Sequence, residues 1–75
     1  MKLEIGQVYR TRDNRIAKVV EFDSKDNVFA AIIENNSSHL WYEENGLLCR
    51  INLGEKFKQD LVFLLNKEDY PEYYL

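Results

Sequence analysis

Turn signals cut most of this chain into pieces too short for stable helices. RDNR at 12–15, SKDN at 24–27, NNSS at 35–38 and Asn45-Gly46 leave no run longer than eight residues between positions 8 and 44. Helices of that length are marginal alone, whereas strands of that length are ordinary. Asp13 favours turn initiation, and Asn14 tolerates the left-handed conformation that a tight hairpin needs. Asn45-Gly46 is a hairpin dipeptide because both residues accept positive φ.

The runs between the turns carry strand chemistry. Val8–Thr11 suits a short first strand, and IAKVVEFD at 16–23 a second. In that second strand Ala17, Val19 and Glu21 alternate with Ile16, Lys18, Val20 and Phe22, so neither face is purely apolar. VFAAIIE at 28–34 is nearly all apolar and reads as a central strand. HLWY at 39–42 and LLCRI at 47–51 read as the fourth and fifth strands. In the last third, Phe57, Leu61, Leu64 and Leu65 have helical spacing, while DLVFLL at 60–65 reads as a buried strand. The expectation is a closing strand at 61–65, preceded by at most one short helical turn near 55–60. Pro71 keeps KEDYPEYYL from continuing a ladder.

These pieces predict one mostly β domain over 1–66, a small SH3-like barrel or rolled antiparallel sheet of five to six short strands, and an acidic aromatic tail over 67–75. With 75 residues the chain is one domain at most, and its core is small. Cys49 is the sole cysteine, which excludes an intramolecular disulfide and any multi-cysteine zinc site. The N-terminus lacks the apolar core of a signal peptide and no stretch reads as a membrane span, so the expected location is cytoplasmic.

The formal net charge of −3 conceals an asymmetry. Residues 1–18 hold five basic and two acidic side chains, 19–50 two and six, and 51–75 three and five. Arg10, Arg12, Arg15 and Lys18 could offer donors to a phosphate chain, with Tyr9 or Trp41 stacking on bases. Blocks of mixed charge are more commonly solvated surface, and a net acidic chain is a poor start for nucleic-acid binding. The acids Glu21, Asp23, Asp26, Glu34, Glu43 and Glu44 fall at predicted strand ends and turns. Clustered, they would mimic DNA phosphates or engage a basic groove on another protein; scattered, they are solubilising edge charges.

HLWYEENG is the richest stretch. An exposed Trp41 or Tyr42 would make a binding hot spot, but a lone tryptophan in so short a chain is expected in the core, with Tyr42 half-buried. His39 has no histidine or cysteine at ligand spacing, and Ser37 and Ser38 form no triad pattern with it. Cys49 reads as a small buried or half-buried apolar residue. Gly6, Gly46 and Gly54 make no phosphate loop. No cofactor and no enzymatic activity are expected. The tail, EDYPEYYL, is expected to be either disordered or a partner-contacting arm; Tyr70, Tyr73 and Tyr74 carry much apolar surface for an idle tail, which favours docking on the barrel or on a second subunit, as in a homodimer.

YRTRDNRIAKVVEFD at 9–23, WYEENG at 41–46 and DLV at 60–62 resemble a group of small phage and prophage domains. Those run as a tyrosine strand, T-R-D-G-R, two apolar strands, a tyrosine or tryptophan strand, a D-G-R or N-G turn and a closing D-L-V. The resemblance covers most of residues 6–63 and leaves the tail unmatched. Asn14 stands where glycine is usual, and the proline often found in the third strand is absent. The resemblance implies an SH3-like barrel of mobile-element origin with no assigned catalytic residues. The expected function is an accessory protein that binds and inhibits a host protein such as a nuclease-based defence system. The candidate contact residues are Arg10, Arg12, Arg15, Trp41, Tyr42, Glu43, Glu44, Tyr70, Tyr73 and Tyr74. The alternatives are a nucleic-acid-binding protein that uses the Arg10–Lys18 hairpin and an oligomeric sponge for a nucleotide signal.

Overall fold

The computed structural model describes residues 2–34, 39–49 and 59–74. Five strands, β1 (Val8–Thr11), β2 (Ile16–Asp23), β3 (Val28–Ile33), β4 (His39–Glu43) and β5 (Leu61–Leu64), form one antiparallel sheet in the order β4-β3-β2-β1-β5. The sheet curls into a half-barrel, as the turn spacing predicts. The NNSS loop, Arg50 and Ile51 of the expected fifth strand, and most of the expected helical turn near 55–60 lie outside the described residues.

The inward face of β2 changes along its length. Ala17 and Val19 are fully buried, opposite Ile33 and Ala31. A bulge then shifts the register between Val19 and Glu21, so Glu21 faces Ala30 and Phe22 faces Phe29. One extra residue in a strand reverses the alternation beyond it. Phe22 thereby shares a face with Phe29, its ring 4.7 Å away, at the exposed margin of the core. The mixed pattern of IAKVVEFD is thus two half-patterns joined at Val20.

The main core comprises Leu3, Tyr9, Ala17, Val19, Phe29, Ala31, Ile33, Tyr42, Leu48 and Leu61, with Leu40 packed against it. Tyr9 is buried here, so it is no stacking platform.

The expected strand at 47–51 is, among its described residues, a single bridge between Tyr42 and Leu48. The Glu43 and Cys49 amides bond to the Leu47 and Trp41 carbonyls at 2.8 and 3.0 Å. The Leu48 amide donates instead to Oδ1 of Asp60, at 2.9 Å. The Leu61 amide donates to the Gly46 carbonyl at 2.8 Å. Among the described residues, the Asp60 carboxylate and the Leu61–Gly46 backbone bond thus join the segment after β4 to the start of β5. Asp60 is 1% exposed, and its carbonyl also accepts the Arg12 amide at 2.9 Å.

The tail docks on its own barrel. Residues Pro71–Tyr74 form a 3-10 turn. The Tyr74 hydroxyl lies 2.6 Å from the Leu65 carbonyl and 3.0 Å from Oε1 of Gln7, and it accepts the Val8 amide at 3.0 Å. Val8 and Leu65, buried outside the main cluster, sit at this anchor.

Candidate functional site

Side chains of directly paired residues share a face of an antiparallel sheet. On the inner face, Tyr42 pairs with Phe29, which pairs with Phe22. On the outer face, Trp41 pairs with Ala30, which pairs with Glu21; one row on, Glu43 pairs with Val28, which pairs with Asp23. This register inverts the expectation for the two aromatics. Trp41 is 39% exposed, and Tyr42 is wholly buried. The Tyr42 hydroxyl donates to the Gln59 carbonyl at 2.9 Å. Burial foremost, and then the Asp60 carboxylate, raise its pKa far above the ordinary tyrosine value. Tyr42 is a core residue, and a partner would have to unfold the barrel to touch it.

Strands β1 to β4 form a meander, so alternate turns among them fall at the same end. The β2–β3 turn at 24–27 and the turn after β4 at 44–46 are brought together, because Val28 pairs with Glu43. Asn27 takes φ 57° and closes the first turn, whose Lys25 amide bonds to Oδ1 of Asp23. The second turn closes through the Gly46 amide and the Glu43 carbonyl, with Gly46 at φ 94°. Asn45 does not take positive φ, so the loop has three residues rather than two. The Leu3 amide donates to the Glu44 carbonyl at 2.9 Å and pins this corner from below.

Between these turns lies a cleft of about 350 Å³, lined by Trp41, Val28, Cys49, Asp23 and Asp26. An adjoining recess of about 330 Å³ shares Asp26 and Val28 and continues past Asn27, Glu43, Glu44 and Asn45. An apolar floor thus carries an acidic rim. Cys49 is half-buried there, as its neighbours in the sequence suggest. Among the described residues, no ion pair or side-chain hydrogen bond engages the carboxylates of Asp26, Glu43 or Glu44. Glu34 stands apart, with its Oε1 accepting the Ile16 amide at 2.9 Å. Among the described residues, no group of three or more His, Cys, Asp or Glu side chains is arranged to hold a metal ion.

The basic hairpin is arranged differently. Arg10 donates to Oδ1 of Asn14 at 2.7 Å. Arg12 lies 3.6 Å from Oδ2 of the buried Asp60. Arg15 donates through Nε to Asp13 at 3.1 Å, and the Thr11 hydroxyl donates to the same carboxylate. Partial desolvation pushes the Asp13 pKa up, but these two donors outweigh it and hold the group below the ordinary aspartate value. Arg10 and Lys18 face outward on paired rows, whereas Arg12 and Arg15 belong to the loop and its exit. Each of these three arginines already has an acceptor within the chain.

Of the tail residues, Tyr70 and Tyr73 are half-buried and stack on each other at 6.2 Å, while Tyr74 is the anchor described above. The structure therefore gathers Trp41, Glu43 and Glu44 into one site and leaves Arg10, Arg12, Arg15, Tyr42 and the three tyrosines out of it. It adds Val28 and Cys49 as floor, and Asp23 and Asp26 as rim. The signal for these four was the meander itself, which predicts that turns 24–27 and 44–46 share an end.

No helix among the described residues is long and apolar enough to cross a membrane. Comparisons with protein-family models, with curated proteins and with solved structures found no match. The phage resemblance rests on the quoted motifs alone.

Proposed function

We propose that this chain is a non-catalytic binding module, of phage or mobile-element origin, that occupies a basic surface of a host protein and inhibits it. A nuclease-based defence system is the target class, because such enzymes expose basic grooves that follow a phosphate backbone. The observation that carries the reading is the union of a part-exposed Trp41 with the unengaged carboxylates of Asp26, Glu43 and Glu44. An aromatic residue loses little entropy on binding and forms a hot spot, and a single-sign rim steers a partner of opposite charge. Inhibition follows from occupancy: carboxylates that fill a basic groove exclude the nucleic acid that would lie there. The phage origin is supported by the YRTRDNR and DLV motifs.

The test is affinity capture from host lysate, with and without nuclease, using the wild-type chain beside a Trp41→Ala/Glu43→Gln/Glu44→Gln variant. The expected result is one stoichiometric protein that survives nuclease treatment and is lost with the variant. Capture that depends on nucleic acid, or that the variant retains, would reject the reading.

A further inference from the structure

The Trp41 cleft has a chemistry specific enough to name its guest. Its floor is an indole, a valine and a thiol, and its rim is carboxylate. A neutral apolar guest would leave the Asp26 carboxylate, and the oxygen of Asp23 not held by the Lys25 amide, without a partner. An anion would meet repulsion. A hydrated point charge such as an ammonium gives up much solvation to sit on an apolar floor. A guanidinium fits each part: it is planar, weakly hydrated, stacks on an aromatic face, and directs its N–H donors outward from its edge. Carboxylates around that edge accept charge-assisted hydrogen bonds.

We propose that the cleft receives an arginine side chain from a basic segment of the partner protein, with the guanidinium stacked on Trp41 and its edge turned to Asp23 and Asp26. The adjoining recess at Glu43 and Glu44 takes the next positive residue of the same segment. This rests on the partner-binding reading above and names what that partner must present.

Trp41 is the only tryptophan in the chain, so its fluorescence reports on the cleft directly. Tetra-arginine amide serves as the probe, beside tetra-lysine amide and the neutral isostere tetra-citrulline amide. Tetra-arginine is expected to change Trp41 emission saturably and to bind about fivefold tighter than tetra-lysine, the size of one exposed cation–π contact. Tetra-citrulline is expected to give no change. An Asp26→Asn/Glu43→Gln/Glu44→Gln variant, checked for native circular dichroism, is expected to bind tetra-arginine about tenfold more weakly. No saturable change, an equal response to citrulline, or an equal response to lysine would each overturn the assignment. Competition separates this proposal from the broader one. If a captured partner is not displaced by tetra-arginine, the arginine site is wrong while the partner reading stands. If no partner is captured but Trp41 responds as described, the site stands and the partner reading falls.

Discussion

Two loops of this barrel have the same backbone and opposite side-chain behaviour. In Arg12-Asp13-Asn14 the flanking bonds are Thr11 amide to Arg15 carbonyl and Asn14 amide to Thr11 carbonyl, at 2.8 and 2.9 Å. In Glu44-Asn45-Gly46 they are Glu43 amide to Leu47 carbonyl and Gly46 amide to Glu43 carbonyl, also at 2.8 and 2.9 Å. Each ends on a left-handed residue, Asn14 at φ 70° and Gly46 at φ 94°. The basic loop pairs its charges at the surface with Asp13, Asn14 and Asp60, whereas the acidic loop leaves its carboxylates unengaged beside Trp41. Charge density alone therefore does not locate a binding surface. A charge that is already paired has to be released before it can serve a partner, and an unengaged one does not.

Asp60 ties the basic loop at Arg12 to Leu48, just past the acidic loop, so its removal is the largest break. Asp60→Ala removes the carboxylate that accepts from the buried Leu48 amide and lies beside Arg12. The expected loss is about 2–3 kcal/mol, read as a lower urea midpoint. Asp60→Asn keeps an acceptor for Leu48 and should recover roughly half of it. Equal stability of wild type and Asp60→Ala would show that the two loops are not joined through this side chain.

The next test asks whether the shared backbone geometry is equally demanding in both loops. Gly46→Ala forces a Cβ into the left-handed region at a buried position and should cost about 1–2 kcal/mol. Asn14→Gly relieves that penalty but gives up the Arg10 contact, so its net effect should stay within about 0.5 kcal/mol. Urea midpoints of the two variants decide it, and a larger loss at position 14 would reverse the ranking.

Much of this architecture was legible beforehand, for identifiable reasons. The boundaries of β1 to β4 follow from turn residues whose backbone preferences are local: Asn14, Asn27 and Gly46 all take positive φ. What was not legible depends on pairing. HLWY alternates, but alternation permits either face to be inward; the Tyr42–Phe29 pair decides it, and nothing within residues 39–42 reveals that partner. The bulge at Val20 is equally silent, since an extra residue in a strand looks like any other apolar residue. LLCRI reads as a strand by composition; its described residues meet β4 at the Tyr42–Leu48 bridge, and the Leu48 amide, on the edge away from β4, finds a side chain twelve residues away. For the site, the acids and Trp41 were visible one by one. Their convergence required the meander to place two turns at one end, and the engagement of the arginines required knowing where Asp60 sits.

Neutralising charge should separate the loops more gently. Glu43→Gln/Glu44→Gln removes two like charges with no internal partner, so stability should change by less than about 0.5 kcal/mol, while the arginine-probe response falls. Asp13→Asn removes the charge and one of the two oxygens that accept from Arg15 and Thr11, and should destabilise by less than about 1 kcal/mol with no effect on that response. Loss of the probe response in Asp13→Asn would place function at the basic loop instead.

The smallest effect is the pH dependence of that same carboxylate, and its sign is fixed by linkage. The Asp13 pKa is lower in the fold than the ordinary aspartate value, because the Thr11 and Arg15 donors outweigh its desolvation. The folded state therefore favours the ionised group. Its contribution is fully present above the unfolded pKa, near 3.9, and is lost as pH falls through the lower folded value. Urea midpoints of wild type and Asp13→Asn should differ by a constant amount above about pH 5, and the gap should narrow as pH drops below about 4. A gap that widens on acidification would mean that the protonated acid is the better partner for Thr11 and Arg15. The basic loop would then hold its arginines by something other than the carboxylate, and the contrast between a self-paired loop and an open one would lose its electrostatic basis.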